Sequence, residues 1–479
     1  MRRTELIPFY CFLGEWADKG VRRMNRSRST GRRPLSFLPW SENLESRQLL
    51  SRGSFPPYVS PAELYSLLHN PVGYPAVRPN TPALPYGAPS KQAAFVDPSA
   101  RIINGYAVIV SSPGFIAPYS TLNAHGGIIK IGTGTDIMDN ATIVANPLHP
   151  HKAPAPEVLI GDQVWVGYGA TILGPSTIGA YGSSVQPTEI GPGAVIDQAT
   201  VEPGAIVGAL ARVGPGVTVP SGYRVLPGKN VTTNAAAADP ALGLVVPVTN
   251  SDTSTLSKLL TANLTLAQGY TTIYQGQFAT GASPGIGPPT TNVYNGDLAT
   301  VLGSGQQPGS PTASTAFLPP GTGPTFPTPS GGRIQGNFSG FRARITGGVV
   351  FQSSAGNIAH HLGRSNSIRG DIGQPITIGS IGRTGFGLSI NAPGNGPITI
   401  GRNLVVGNNV TIMGDSTAKM VLGDDVTIGN GAVVEGSSLG SGSTVGARAC
   451  LLNSTFPAGT QIPAGAIYEN NKLVGYVEW

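Results

Sequence analysis

The chain has 479 residues, with 67 glycines, 43 prolines and only 11% charged side chains, a composition outside the ordinary globular range that points to repeats. Its formal charge is +6, yet residues 1–53 hold eleven Arg or Lys against five Asp or Glu, which leaves nineteen of each sign in the remainder. A neutral body gives no sign of a nucleic-acid footprint. Two distant cysteines, Cys11 and Cys450, support neither a disulfide framework nor a cysteine-type zinc site. No stretch approaches the roughly 20 apolar residues of a spanning helix.

Taken in chain order, residues 1–53 form an arginine-rich leader that is not expected to pack. Within it, Leu44-Glu45-Ser46-Arg47-Gln48-Leu49-Leu50-Ser51 resembles the L-E-x-R-x-L-L-S leader of large exported proteins of planctomycete-type bacteria, with Ser46 in place of the usual Pro or Asp. That resemblance implies export to the periplasm or cell surface, and Met24 suits such a leader better as a start than Met1. Residues 54–94 are an extension in which 60–71 can form a short helix, with Ser60 as N-cap and Pro61 at the first helical position.

From residue 95 the dominant signal is a period of six. Ile160, Val166, Ile172 and Ile178 keep it, and so do Val195, Val201, Val207, Val213, Val219, Val225 and Val231. Such a period fits neither a helix nor a plain strand; it describes a coil whose flat sides each return one aliphatic residue to the interior. The fold class is therefore all-β, a left-handed parallel β-helix. Leu256, Leu259, Leu260 and Leu264 then recur at helical spacing in a segment expected to lie along the coil stack, so that 95–276 forms one array with a terminal helix. Residues 277–332 read as a Gly/Pro/Ser/Thr-rich linker. Residues 333–479 return to the period of six in three runs: Ile400, Val406, Ile412; Leu422, Ile428, Val434; and Leu439, Val445, Leu451. A second β-helix is expected there, its last coil capped by a strand in the C-terminal "NNKLVGYVEW".

The order of "FVDPSARI", "GGIIKIGTGTDIMDNATIVA" and "VTVPSGYRVLPGKNVTTNAAAADP", followed by the helix, resembles the γ-class carbonic anhydrases and the related domain of the carboxysomal assembly protein. The resemblance implies a trimer in which three histidines from adjacent subunits hold a zinc ion that ionises water. Here the ligand positions fall on Val144, Tyr168 and Leu173. The family's Arg-x-Asp falls on Asn123-Ala124-His125, its proton-shuttle glutamate near Gly126, and only Asp139 survives from the supporting residues. In the second array Arg369, Gly370 and Asp371 keep the family's Arg-Gly-Asp, while the ligand positions fall on Asn391, Asn408 and Met413. No zinc or other cofactor is therefore expected.

Two further chemical readings stay open. His149 and His151, in "NPLHPHKAP", could join His125 in a relocated metal site. Alternatively, because this loop and the coils after it resemble those of hexapeptide-repeat O-acetyltransferases, His149 could be the base that deprotonates an acceptor hydroxyl. The bland reading of this pair is solvated loop residues. For Arg369 and Asp371 it is a salt bridge across a coil or subunit boundary, and for Trp165 and Tyr168 it is packing. The resemblance thus implies a γ-carbonic-anhydrase homologue without its zinc ligands, expected to be a structural protein that trimerises or packs its two arrays together. The alternative is an active enzyme of the hexapeptide superfamily.

Overall fold

The computed structural model describes most of residues 94–279 and 325–479; residues 1–93, 146–156 and 280–324, with a few short stretches elsewhere, lie outside the described residues. The leader, the helix expected at 60–71, most of the expected linker and the loop bearing His149 and His151 fall there, as does His125. What is described winds into two left-handed β-helices within one compact unit, Glu42–Trp479.

Each coil of the first array places one short strand on each of three faces. Face A stacks Ala94–Val96, Gly114–Ile116, Thr135–Ile137, Val164–Val166, Thr188–Ile190, Ile206–Val207 and Tyr223–Val225, closed by antiparallel Val245–Pro247. Face B stacks Arg101–Ile103, Thr121–Asn123, Thr142–Val144, Thr171–Leu173, Val195–Asp197, Arg212–Val213 and Asn230–Val231. Face C runs from Val108–Val110 to Thr218–Val219. The second array repeats the plan. Its face A′ runs from Ile381–Thr384 to Gln461–Ile462, and B′ from Ala343–Gly347 through Asn366–Gly370, Ser389–Asn391, Thr411–Met413, Val433–Glu435 and Cys450–Leu452 to Ala466–Glu469. Its face C′ includes Ile376–Ile378, Ile398–Ile400 and Met420–Leu422.

Coil-to-coil hydrogen bonding satisfies the backbone, and stacking turns single inward aliphatics into a continuous core. Ile160, Val166, Ile172, Ile178 and the valines from Val201 to Val231 are fully buried, as are the expected residues of the second array. Val195 is the exception. Strand pairing sets Ile172 against Ile196, so Ile196 takes the interior position and Val195 points outward. The period slips by one residue at the following corner, where Gln198 adopts a positive φ of 51°.

Asn250–Ala279 is a helix laid against the first four strands of face A. Among its described side chains the buried ones are Leu256, Leu260, Asn263, Leu266 and Ala267, so the seated stripe includes an asparagine, and Leu259 and Leu264 lie at its margin.

The two arrays pack side by side. The turns joining faces A and B of the first array form a ridge, and this ridge sits on face B′ of the second. Contacts climb both arrays in the same order. Asp139 meets Ser367 and Arg369, and Asn140 donates to Ser389 Oγ at 2.9 Å. Asn391 donates to the Tyr168 hydroxyl, Leu210 clusters with Val433 and Cys450, and Arg224 reaches Glu469 at 3.4 Å. At Gly228, packed against Ile467 and Val477, the backbone holds φ at 69°, a conformation that favours glycine. The prisms are therefore parallel and in step.

The C-terminus does more than cap its own coil. After Lys472–Tyr476 pairs back on Ala466–Glu469, the last residues cross to the first array. There the Glu478 amide donates to Gly228 O, its carboxylate pairs with Lys229 at 2.6 Å, and Trp479 Nε1 donates to Leu210 O at 2.7 Å beneath the Arg448 guanidinium. The register yields a direct test. Ile196→Ala should cost about 2–5 kcal/mol in urea unfolding and Val195→Ala under about 1 kcal/mol; the reverse order would restore Val195 to the core.

Candidate functional site

The residues with chemistry lie along the seam between ridge and face B′. On B′, strand pairing lines up Arg369, Asn391, Met413 and Glu435 in one outward column. Opposite them the first array presents Asp136 and Trp165 from face A, with Asp139 and Tyr168 from the adjoining turns. All are buried except Glu435, which keeps partial exposure.

Arg369 is the centre of the upper seam. Its Nη1 donates to Asp139 Oδ2 at 2.8 Å and its Nε to Asp371 Oδ1 at 3.3 Å, and the guanidinium lies over the Phe115 ring at 5.0 Å. Ser367 donates to the other Asp139 oxygen. Burial pushes the Asp139 carboxyl above its ordinary range, with Arg369 and Ser367 offsetting part of that rise. Asp136 is more extreme. Neither of its oxygens has a hydrogen-bond partner, and burial drives its carboxyl well above the ordinary range, with Asn263 and Arg369 offsetting part of the rise. Trp165 Nε1 and the side-chain oxygens of Asn263 and Asn391 are also without partners here.

One coil further on, the ligand positions implied by the family resemblance meet across the seam. Tyr168 comes from the first array, and Asn391 and Met413 come from adjacent strands of the second. Met413 packs in one buried cluster with Trp165 and Tyr168, whose rings meet edge to face at 5.9 Å. The other three positions are not assembled. Val144 and Leu173 look outward from face B, and Asn408 stands on the outer corner of the second array, all part-exposed.

A zinc site of the implied kind needs three imidazoles. The converging groups are a phenol, an amide and a thioether. Burial holds the Tyr168 hydroxyl well above its ordinary pKa, so it stays protonated, and the Asn391 amide nitrogen is engaged with it. This donor set does not fit zinc. Among the described residues no three His, Cys, Asp or Glu side chains are grouped so as to hold a metal ion.

The fold is a tandem hexapeptide-repeat β-helix. No protein-family model matches the chain, and no curated protein matches its sequence. Similar solved structures include a hexapeptide transferase family protein from Anaplasma phagocytophilum, 20% identical over 36% of this chain and 91% of that one, with a TM-score of 0.23. Two UDP-N-acetylglucosamine acyltransferases are similar as well. That of Arabidopsis is 9% identical over 80% of this chain and 74% of its own (TM-score 0.16), and that of Francisella novicida is 17% identical over 37% and 77% (TM-score 0.15).

The lower seam holds a group that sequence reasoning missed. Burial, with the Glu435 carboxylate across the seam, raises Glu189 to about 8, while Arg224 offsets part of the rise. Arg224 also bridges Asp252 at the helix start and Glu469 of the second array. The only sequence signal was a charge in an outward position of a strand beside the ridge. Because the folded state keeps this proton above the ordinary value of 4.5, stability falls as pH rises from about 4.5 to about 8. Glu189→Gln should flatten that decline in urea midpoints measured across the window; an unchanged slope would remove Glu189 as its source.

Proposed function

We propose that the protein is a non-catalytic β-helix scaffold descended from a γ-class carbonic anhydrase. In it, the place of the active site between two prisms has become a packing seam. The observation that carries this reading is the meeting of Tyr168, Asn391 and Met413. These positions, far apart in the chain, converge as a shared site between neighbouring prisms would require, yet their side chains contact one another instead of a metal. Arg369, Asp371 and Asp139 support the same descent, since a family element that ties subunits together would here tie two arrays of one chain.

The reading has a gain-of-function test. The full-length chain carrying Tyr168→His, Asn391→His and Met413→His should take up close to one zinc per chain by mass spectrometry. The unaltered protein should hold less than about a tenth of an equivalent and leave carbon dioxide hydration at the buffer rate. Stoichiometric zinc with hydration in the unaltered protein would contradict the scaffold reading. Acetyl-CoA hydrolysis abolished by His149→Ala would replace it with an O-acyltransferase.

A further inference from the structure

Each array carries the same two docking elements, and the chain uses only one of each. The equivalence is visible in the backbone. The ridge of the first array has one positive-φ residue per coil at Asn140, Gly169, Gly193, Leu210 and Gly228, and the A′–B′ corner of the second has them at Gly387, Asn409, Gly431, Arg448 and Gly465. The faces also correspond, since Thr142, Thr171 and Val195 of face B match Ser389, Thr411 and Val433 of B′. On B′ those residues are buried under the ridge, whereas on B they are part-exposed, together with Val144 and Leu173. The first three coils of the A′–B′ ridge are likewise uncovered among the described residues, while at its last two Arg448 meets Trp479 and Gly465 accepts from the Val477 amide. Asn409 and Asn430 are exposed there, and so is Phe386 at 53%, in the position that Asp139 holds on the first ridge.

Contact between a ridge and a flat face uses different surfaces on the two partners, so it is heterologous, and its rotation decides what it builds. When the corner of one triangular prism points into a side of a parallel neighbour, successive prisms turn by roughly 120° and a third closes the ring. That third prism would cover face B with its ridge and receive the A′–B′ ridge on its own face. A second copy of this chain cannot do both. Its first array has its ridge buried in its own partner, its second has B′ buried, and in either pose the attached array would overlap one already in place.

We propose that the third position is taken by a separate polypeptide folded as a single left-handed β-helix. Its docking face carries an apolar residue where the second array has Arg369, because Phe386 replaces Asp139 on the ridge that enters it.

A photo-crosslinking residue placed at Thr142 or at Phe386, in cells producing the full-length protein at its native level, tests this. Both positions should link to the same polypeptide, with a six-residue repeat in its sequence, and a probe at Thr399 on face C′ should not. The purified protein alone should scatter light as one 49.1 kDa chain. Links between copies of this chain, self-trimerisation, links to residues 280–324 of the same chain, different partners at the two probes, or no link at all would each overturn the proposal.

Discussion

A β-helix coil can bury its aliphatic residues only against copies of itself. That constraint fixes the sequence to a period of six, the cross-section to three flat sides, and the outer surface to ridges and faces. The remaining features follow from where those ridges can go. In this chain the A–B ridge of the first array lies along face B′ of the second, and every buried charge of the seam is placed by that contact. Asp139 faces Arg369 because the third coil of the first array lies level with the second B′ strand, and both arrays climb in step from there. A shift by one coil would leave Arg369 opposite a turn without a carboxylate and strand its charge in a low-dielectric seam.

The seam is polar where an ordinary core would be apolar. It holds a buried arginine between two carboxylates, the buried Asp136, a phenol bonded to an amide, and Glu189 near Glu435. Buried ion pairs of this kind add little net stability over a well-packed apolar replacement, because desolvation offsets most of the attraction. They do penalise every wrong register. A polar seam of this kind therefore has a physical use of its own, since it selects one alignment of two otherwise repetitive surfaces. The C-terminal crossing through Glu478 and Trp479 then clasps the far end.

The fold was legible because its signal is repeated. Ile160 to Ile178 and Val201 to Val231 carry the six-residue phase with no help from tertiary context. Val195 misled because a valine happened to stand one residue from the true interior position, and only pairing with Ile172 distinguishes it from Ile196. Tyr168, Asn391 and Met413 were reachable by resemblance, motif by motif, but their convergence depends on which ridge meets which face, and no local pattern encodes that. Asp136 and Glu189 were missed for the same reason. Each is a charge in an outward strand position, which on an uncovered face would be solvated. Asn263 likewise broke the leucine stripe because its helix crosses the top of a polar seam.

The account depends on Tyr168 and Asn391 touching across the two arrays, and a double-mutant cycle measures that contact directly. Urea unfolding of the full-length protein, of Tyr168→Phe, of Asn391→Leu and of the double variant should give a coupling energy of about 0.5–3 kcal/mol, the range for residues in contact. Additivity within about 0.3 kcal/mol would mean that the positions do not meet, and the seam described here would be wrong.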